Sequence, residues 1–277
     1  MTLSVNTNTS AALALQNLQA TNRQLDIVQN RINTGLVVTG AKDNAAVYAI
    51  AQNMRGDVGA YDAVKQSLNR GSSIIDVALA AGESISDILV QMKEKVVAAS
   101  DVSLDTNSRN ALNEDFQALV KQIQSIVENA KFDGADLLDG SITTGIQVLA
   151  DADATNHLTI GSENLNLSGT IITLTTTASI DTITGASGAL AQVGNSLQNL
   201  NSALARIGSA GKKIDAHSQF VDKLVASLKG GIGNLVDADL AVESANLQAL
   251  QVKQQLGVQS LSIANSRPQI LLSLFRG

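Results

Sequence analysis

Cysteine and tryptophan are absent from the 277-residue chain, proline occurs once, as Pro268, and aromatic side chains make up 2% of the sequence. The lack of cysteine excludes disulfides, thiolate metal sites and cysteine nucleophiles together. Two Tyr and four Phe are too few to anchor an ordinary globular core, in which such rings supply much of the buried area. The core is therefore aliphatic. Basic charge is also scarce: a net charge of -6 and a pI near 4.9 argue against affinity for nucleic acid or anionic lipid, which needs clustered Lys and Arg. No apolar run reaches the roughly 18 residues of a membrane span, because Gln, Asn, Asp or Lys intervenes every few positions. What is abundant is Ala, Leu, Ile, Val, Gln, Asn and Ser, the usage of long helices that meet along narrow seams.

Periodicity bears this out. Ala11, Leu18, Leu25 and Ile32 lie seven apart, with Ala14, Thr21 and Val28 three residues after the first three; this heptad stripe predicts a helix over about 8–33. NTGLVVTGAKDNAA follows, where Gly35 and Gly40 bracket a β-branched patch and predict a break. Val47, Met54, Tyr61, Leu68 and Ile75, seconded by Ile50, Val64, Ala78 and Ile85, predict a long helix to about Ser100. Leu112, Phe116, Leu119, Ile123, Ile126 and Ala130 predict a third, ended by turns at Gly134 and Gly140. IQVLADADATNHLTI reads as a hairpin across an Asp/Ala/Asn turn, in a Thr- and Ser-rich insert of residues 141–187. The heptads then return in two rows, one from Leu190 to Ile232 and one from Val193 to Leu235. GGIGN, Gly230 to Asn234, is expected to loosen that helix, and Leu240, Leu247, Leu250 and Leu261 mark a last one whose stripe is interrupted by Gln254 and Gly257.

The expected fold is mainly α: long antiparallel helices in a coiled-coil-like bundle with one small β-hairpin insert, and paired N- and C-terminal helices forming a layer of their own. The expected domains are residues 1–40 with 232–277 (terminal helical), 41–140 with 188–231 (helical core) and 141–187 (hairpin and surface loop). The chain closes on RPQILLSLFRG. Full burial of Ile270, Leu271, Leu272, Leu274 and Phe275 would be worth roughly 8 to 15 kcal/mol, and two short helices cannot supply that cover alone, so other copies of the chain must complete the layer.

Sites for chemistry are sparse. His157 and His217 are the only histidines, too few for a histidine-rich metal site. Asp151 and Asp153 lack the spaced ligands, central Gly and closing Glu of a calcium loop. GSAGKK, Gly208 to Lys213, has neither the spacing nor the preceding strand of a phosphate loop. No nucleophile or acid/base constellation stands out. The expectation is a protein that is not an enzyme and holds no cofactor or metal.

Four blocks of the sequence resemble bacterial flagellin. SVNTNTSAALALQNLQATNRQLD is similar to the family's opening, GLVVTGAKDNAAVYAIAQNMRGDV to its "GL...AKDDAAGLAI...R" signature, VENAKFDGADLLDG to its "ENT.FNG..LL.G" turn, and NSRPQILLSLFRG to its "NQ.PQ.VL.LLR" close. Val37 stands where many members have Arg, and the family's large outer domains are missing. The resemblance implies a structural subunit that polymerises into the extracellular filament for swimming motility. It implies a self-assembly inner layer at Leu18, Leu25, Ile32, Leu247, Leu250, Leu261, Ile270, Leu271, Leu272, Leu274 and Phe275. Its implied partners are many copies of the chain, the flagellar export apparatus, an export chaperone, and the filament cap and junction proteins, with no nucleic acid and no membrane insertion. MTLSVNTNTSAALALQNLQA has no basic n-region or continuous apolar run, so export without a cleaved signal peptide is expected. Thr170, Thr173, Thr175, Thr176, Thr177 and Ser179 read as a surface strand, or as the hydroxyls some flagellins glycosylate. Two alternatives stay open: a hook-filament junction protein, and an amphipathic coat protein on lipid or granules.

Overall fold

The computed structural model describes residues 7–274, with side chains described from 7 to 266. The side chains of Ile270, Leu271, Leu272 and Leu274 therefore lie outside the described set, as does all of Phe275. The elements run α1 (Thr9–Thr34), α2 (Ala45–Ala99), α3 (Thr106–Asn129), β1 (Lys131–Phe132), β2 (Ala135–Asp136), β3 (Ile146–Leu149), β4 (His157–Ile160), α4 (Ile183–Val236) and α5 (Leu240–Leu274). Contacts divide the chain into two compact units, Met1–Gly56 with Ser227–Gly277, and Asp57–Ala226.

In the 57–226 unit the heptad pattern sets the packing. Val64, Leu68, Gly71, Ile75, Ala78, Gly82, Ile85, Leu89, Met92, Val96 and Ala99 alternate by four and three along α2, and all are buried. Val193, Leu200, Ile207, Ile214 and Val221 of α4 join them, with Phe116, Val120, Ile123 and Val127 of α3. Two glycines allow close approach of elements. A Cβ on Gly71 would stand 2.7 Å from Val148 Cγ1, 3.2 Å from Ile160 Cδ1 and 3.3 Å from Ile214 Cδ1, and one on Gly82 would run into the Leu204 side chain. The companion row on α4 is shifted from expectation. Leu190, Leu197 and Leu204 are half-buried, whereas Ala189, Ser196 and Ala203 are buried, because small side chains occupy the tightest line of contact and the leucines flank it.

Caps match the local sequence. Asp105 accepts from the backbone N–H groups of Asn107 and Ser108 at the start of α3, and its carboxyl is held below the ordinary range, first by the Ser108 hydroxyl. Arg109, buried beside it, donates to the carbonyls of Ala99, Asp101 and Leu104 and so satisfies the turn between α2 and α3.

The expected hairpin is present, with Ile146 paired to Ile160 and Leu149 to His157 in antiparallel register. Asp151 holds its turn. Its carboxylate accepts from the Thr155 hydroxyl at 2.6 Å and the Asn156 side-chain amide at 2.6 Å, and these bonds, the Thr155 hydroxyl foremost, lower its pKa to about 2. A second, smaller antiparallel pair, β1 with β2, turns through Asp133 and Gly134 at φ 49° and 77°, the left-handed pair a two-residue hairpin turn requires.

Three expectations fail. Residues 230–234 do not loosen the helix: α4 runs unbroken to Val236, and the break falls at residues 237–239. Glycine in a helix costs about 1 kcal/mol relative to alanine, which the surrounding contacts outweigh: a Cβ on Gly231 would lie 3.0 Å from Met54 Cε. Leu235, expected in the seam, is 39% exposed, and Val236 is buried in its place, because there the helix packs on Val38 and Ala51. The segment 161–182 contains no strand. Its apolar residues Leu165, Ile171, Ile172, Leu174 and Ile180 are buried while its polar groups tie to neighbouring helices: Asn113 Oδ1 accepts from Ser179 Oγ and Ile180 N, and Thr173 N donates to Ser196 Oγ. Side-chain partners and scattered backbone bonds, such as Leu165 N to the Leu138 carbonyl, replace a sheet ladder.

Candidate functional site

The unit formed by the two chain ends is built on α1 and α5. Asn8 caps α1 by accepting from Ala11 N at 3.0 Å, and its own amide donates to the Ala264 carbonyl of α5 at 2.8 Å. Asp239 caps α5 through Ala241 N and Val242 N. Gly35, at φ 71°, ends α1 in the left-handed conformation, its N–H bonded to the Arg31 carbonyl. The two breaks then bond to each other: Val37 N donates to Val236 O at 2.7 Å and Ala238 N to Gly35 O at 2.8 Å. Val38, Ala51 and Val236 are buried beneath this bridge. Thr39 and Gly40 close on Asp43, whose carboxyl is held low, chiefly by the Thr39 hydroxyl.

Antiparallel pairing of α1 and α5 uses one stripe of each. On α1 it comprises Ala11, Ala14, Leu18, Thr21, Leu25, Val28 and Ile32, all buried or half-buried. On α5 every described residue from 240 to 266 is exposed except Glu243, Leu247, Leu250, Gln254, Gly257, Leu261 and Ala264, which alternate by four and three. The polar members of the stripe have partners. Arg31 Nη1 lies 2.9 Å from Glu243 Oε1, and Gln254 Nε2 donates to Asn22 Oδ1 at 2.8 Å. Gly257 makes room for Leu18, whose Cδ1 would be 3.2 Å from a Cβ there. Glu243 Oε2 is buried without a hydrogen-bond partner among the described residues.

The opposite faces of this pair are apolar too. Val242, Val252, Leu256 and Ile263 are 54%, 55%, 59% and 57% exposed; with Ala245 and Ala249, also exposed, they form a second heptad seam along α5. On α1, Leu13 and Ile27 are 58% and 52% exposed and stand two heptads apart, with Ala20 between. Beside Ile27 a groove of about 300 Å³ opens between the helices, lined by Gln24, Arg31, Asn246, Ala249 and Lys253. A helix with apolar residues on two faces is made to be covered on both.

Residues 5–143 match the bacterial flagellin N-terminal helical region and residues 190–275 the C-terminal helical region. The chain belongs to the bacterial flagellin family. It is 52% identical to the flagellin FljJ of Caulobacter vibrioides over 100% of both chains, and 50% identical to FljK of the same organism over 99% of this chain and 98% of that one. A Brucella melitensis flagellin is 39% identical over 99% of each. A Bacillus cereus flagellin crystal structure covers 56% of this chain and 88% of its own, with a TM-score of 0.49 and 20% identity. As a flagellin the chain is a structural subunit of the extracellular flagellar filament and not an enzyme, so its functional site is a surface. The coat-protein alternative falls with family membership, and the junction-protein alternative gives way to full-length relatives that are all flagellins.

The structure brings Leu25, Val28 and Leu250 into one cluster with Ile32 and Leu247 packed against it, and sets Leu18 against Gly257. Leu261 is half-buried in the same stripe. These residues meet within the subunit. The exposed seam of α5 escapes a search for one apolar stripe, because in a two-faced helix the rows overlap; the readable clue is that Val242, Ala245, Ala249, Val252 and Leu256 repeat by three and four. Elsewhere in this flagellin, His217 Nε2 lies 2.7 Å from the Ala150 carbonyl. The GSAGKK stretch is inside α4. Asp151 spends its carboxylate on its own turn.

Proposed function

We propose that the α1/α5 pair is the self-assembly layer of the filament, in which Leu18, Leu25, Ile32, Leu247, Leu250 and Leu261 hold the pair together and the outer seam of α5 docks on neighbouring copies. The observation that carries this reading is the exposed seam at Val242, Val252, Leu256 and Ile263. Each is little more than half exposed, so covering it contributes about 1 kcal/mol or somewhat more. In the sequence Ile270 stands seven residues beyond Ile263, and on this reading it belongs to the same layer with Leu271, Leu272, Leu274 and Phe275. A seam on α5 meeting a different surface on the next copy is a head-to-tail contact, which propagates as an open helical array. The flagellar export apparatus, an export chaperone, and the cap and junction proteins complete the partners on this reading. Thr170, Thr176 and Thr177, exposed in the 161–182 segment, are the hydroxyls best placed for a sugar, whereas Thr173 and Ser179 hydroxyls are engaged within the fold; intact-mass measurement of filament protein tests this.

Electron microscopy of purified chain seeded with filament fragments tests the main proposal. The full chain should extend seeds into tubes. A chain lacking Pro268 to Gly277 should remain soluble, with unchanged far-UV circular dichroism apart from the lost turns, and should not extend them. Normal tubes from the truncated chain would remove the tail from the assembly layer.

A further inference from the structure

The interruptions in the α5 stripe carry an inference that rests on the proposed assembly layer and goes beyond it. Heptad stripes are periodic, so an antiparallel pair can slip by seven residues, about 10 Å of helix, and still set apolar rows against each other. Nothing in Leu18, Leu25, Leu247, Leu250 or Leu261 alone forbids this. The polar members do, beside the bridge that pins the breaks at Gly35, Val37, Val236 and Ala238 together. Arg31 bonds to Glu243 and Asn22 to Gln254, the first pair at one end of the region where the stripes overlap and the second near its middle. A slip of seven in either direction brings Asn22 to the level of Leu247 or Leu261, and Leu18, now facing Gly257, to that of Leu250 or Ala264. Glu243 is 6% exposed, so a slipped alignment would bury a carboxylate away from its guanidinium. A buried polar group without its partner loses more than an apolar pair gains by taking its place, and polar residues within an apolar seam select register in this way.

We propose that Arg31–Glu243 and Asn22–Gln254 are a register key for the two chain ends. They contribute specificity more than adhesion. Because the outer seam of α5 and the Leu13, Ala20 and Ile27 face of α1 lie on opposite members of the pair, their mutual offset is set by that register. A slipped subunit would present the same residues at the wrong spacing to its neighbours.

Disulfide trapping tests this, since the chain has no cysteine of its own. A Cβ on Gly257 would lie 3.8 Å from Leu18 Cβ, within the range a disulfide needs. Leu18→Cys with Gly257→Cys therefore reports the native register, and Leu25→Cys with Gly257→Cys reports a slip of seven. Both are placed in the parent and in a keyless chain carrying Asn22→Leu, Gln254→Leu, Arg31→Met and Glu243→Met. Intrachain cross-linking is read on seeded filaments, and on soluble chain for any variant that does not seed. In the parent the native cross-link should exceed the slipped one by about tenfold or more, and in the keyless chain that ratio should fall by at least about fivefold. Arg31→Glu alone should lower it as well, and Arg31→Glu with Glu243→Arg should restore it.

An unchanged ratio in the keyless chain would overturn the key while leaving the assembly layer standing. Loss of both cross-links would overturn it in favour of a purely stabilising role. Parent filaments that form without the native cross-link would instead overturn the α1/α5 pairing on which the proposed layer rests.

Discussion

Replacing Val252 and Leu256 together with glutamine isolates the outer seam from everything else in the subunit. Both side chains are more than half exposed, at 55% and 59%, and neither is in the stripe that faces α1. Glutamine is a good helix former, so α5 should persist. Full burial of a Val or Leu side chain is worth about 1.5–3 kcal/mol; with a little over half of that still unrealised in the subunit, covering each by a neighbour contributes about 1–1.5 kcal/mol. The double variant should therefore lose about 2–3 kcal/mol for each subunit added, which raises the critical concentration for polymerisation about 30- to 150-fold. Sedimentation of seeded mixtures over a concentration series measures it, with far-UV circular dichroism and thermal melting of the unpolymerised chain as controls. The controls should match the parent. A critical concentration within about threefold of the parent would refute the seam as an interface, and a lowered melting temperature would mean that these side chains support the subunit itself.

Glycine contacts in the 57–226 unit predict a graded effect: Gly71→Ala meets three apolar side-chain atoms at once and should destabilise by about 1–3 kcal/mol, while Gly82→Ala meets only the mobile end of Leu204 and should cost less, as thermal melts of the two variants would show. Carboxyl titration by NMR should find Asp151 near 2, so its contribution to the hairpin is complete above the ordinary Asp value of 3.8 and is lost as the pH falls through about 2; an Asp151 titrating with the ordinary value would remove its turn from the account. Asp136 should move the opposite way. Burial pushes its pKa up although Oδ1 accepts from the N–H groups of Leu138 and Asp139, so the stability it contributes in acid is lost as the pH rises through its raised value, and the same titration checks the direction.

Sequence by itself determined the helices, because a heptad rule needs only spacing: α1 falls within a residue or so of both expected limits and α2 ends beside Ser100, whereas α3 stops at Asn129, short of the Gly134 turn expected to end it. It also located the hairpin at residues 146–160, where alternating residues flank a turn that Asp151 can bond. Glycine was the misleading signal. GGIGN looks like a break when local cost is all that is counted, whereas α4 passes through it and ends where Asp237 to Asp239 let the chain bridge back to Gly35 and Val37. The 161–182 segment misled for the same reason, since its isoleucines Ile171, Ile172 and Ile180 are buried without any strand partner.

Which apolar residues meet within the subunit and which stay exposed was decided only by the tertiary structure. Leu18, Leu25, Leu247 and Leu250, which the resemblance implies lie in the inner layer, face one another within the subunit, and the apolar surface left exposed is the seam at Val242, Val252, Leu256 and Ile263. Gln254 and Gly257 read as faults in a stripe until Asn22 and Leu18 are set opposite them. Spacing along one chain determines which residues share a face; what that face meets depends on a helix more than 200 positions away, and only folding brings the two within a hydrogen bond of each other.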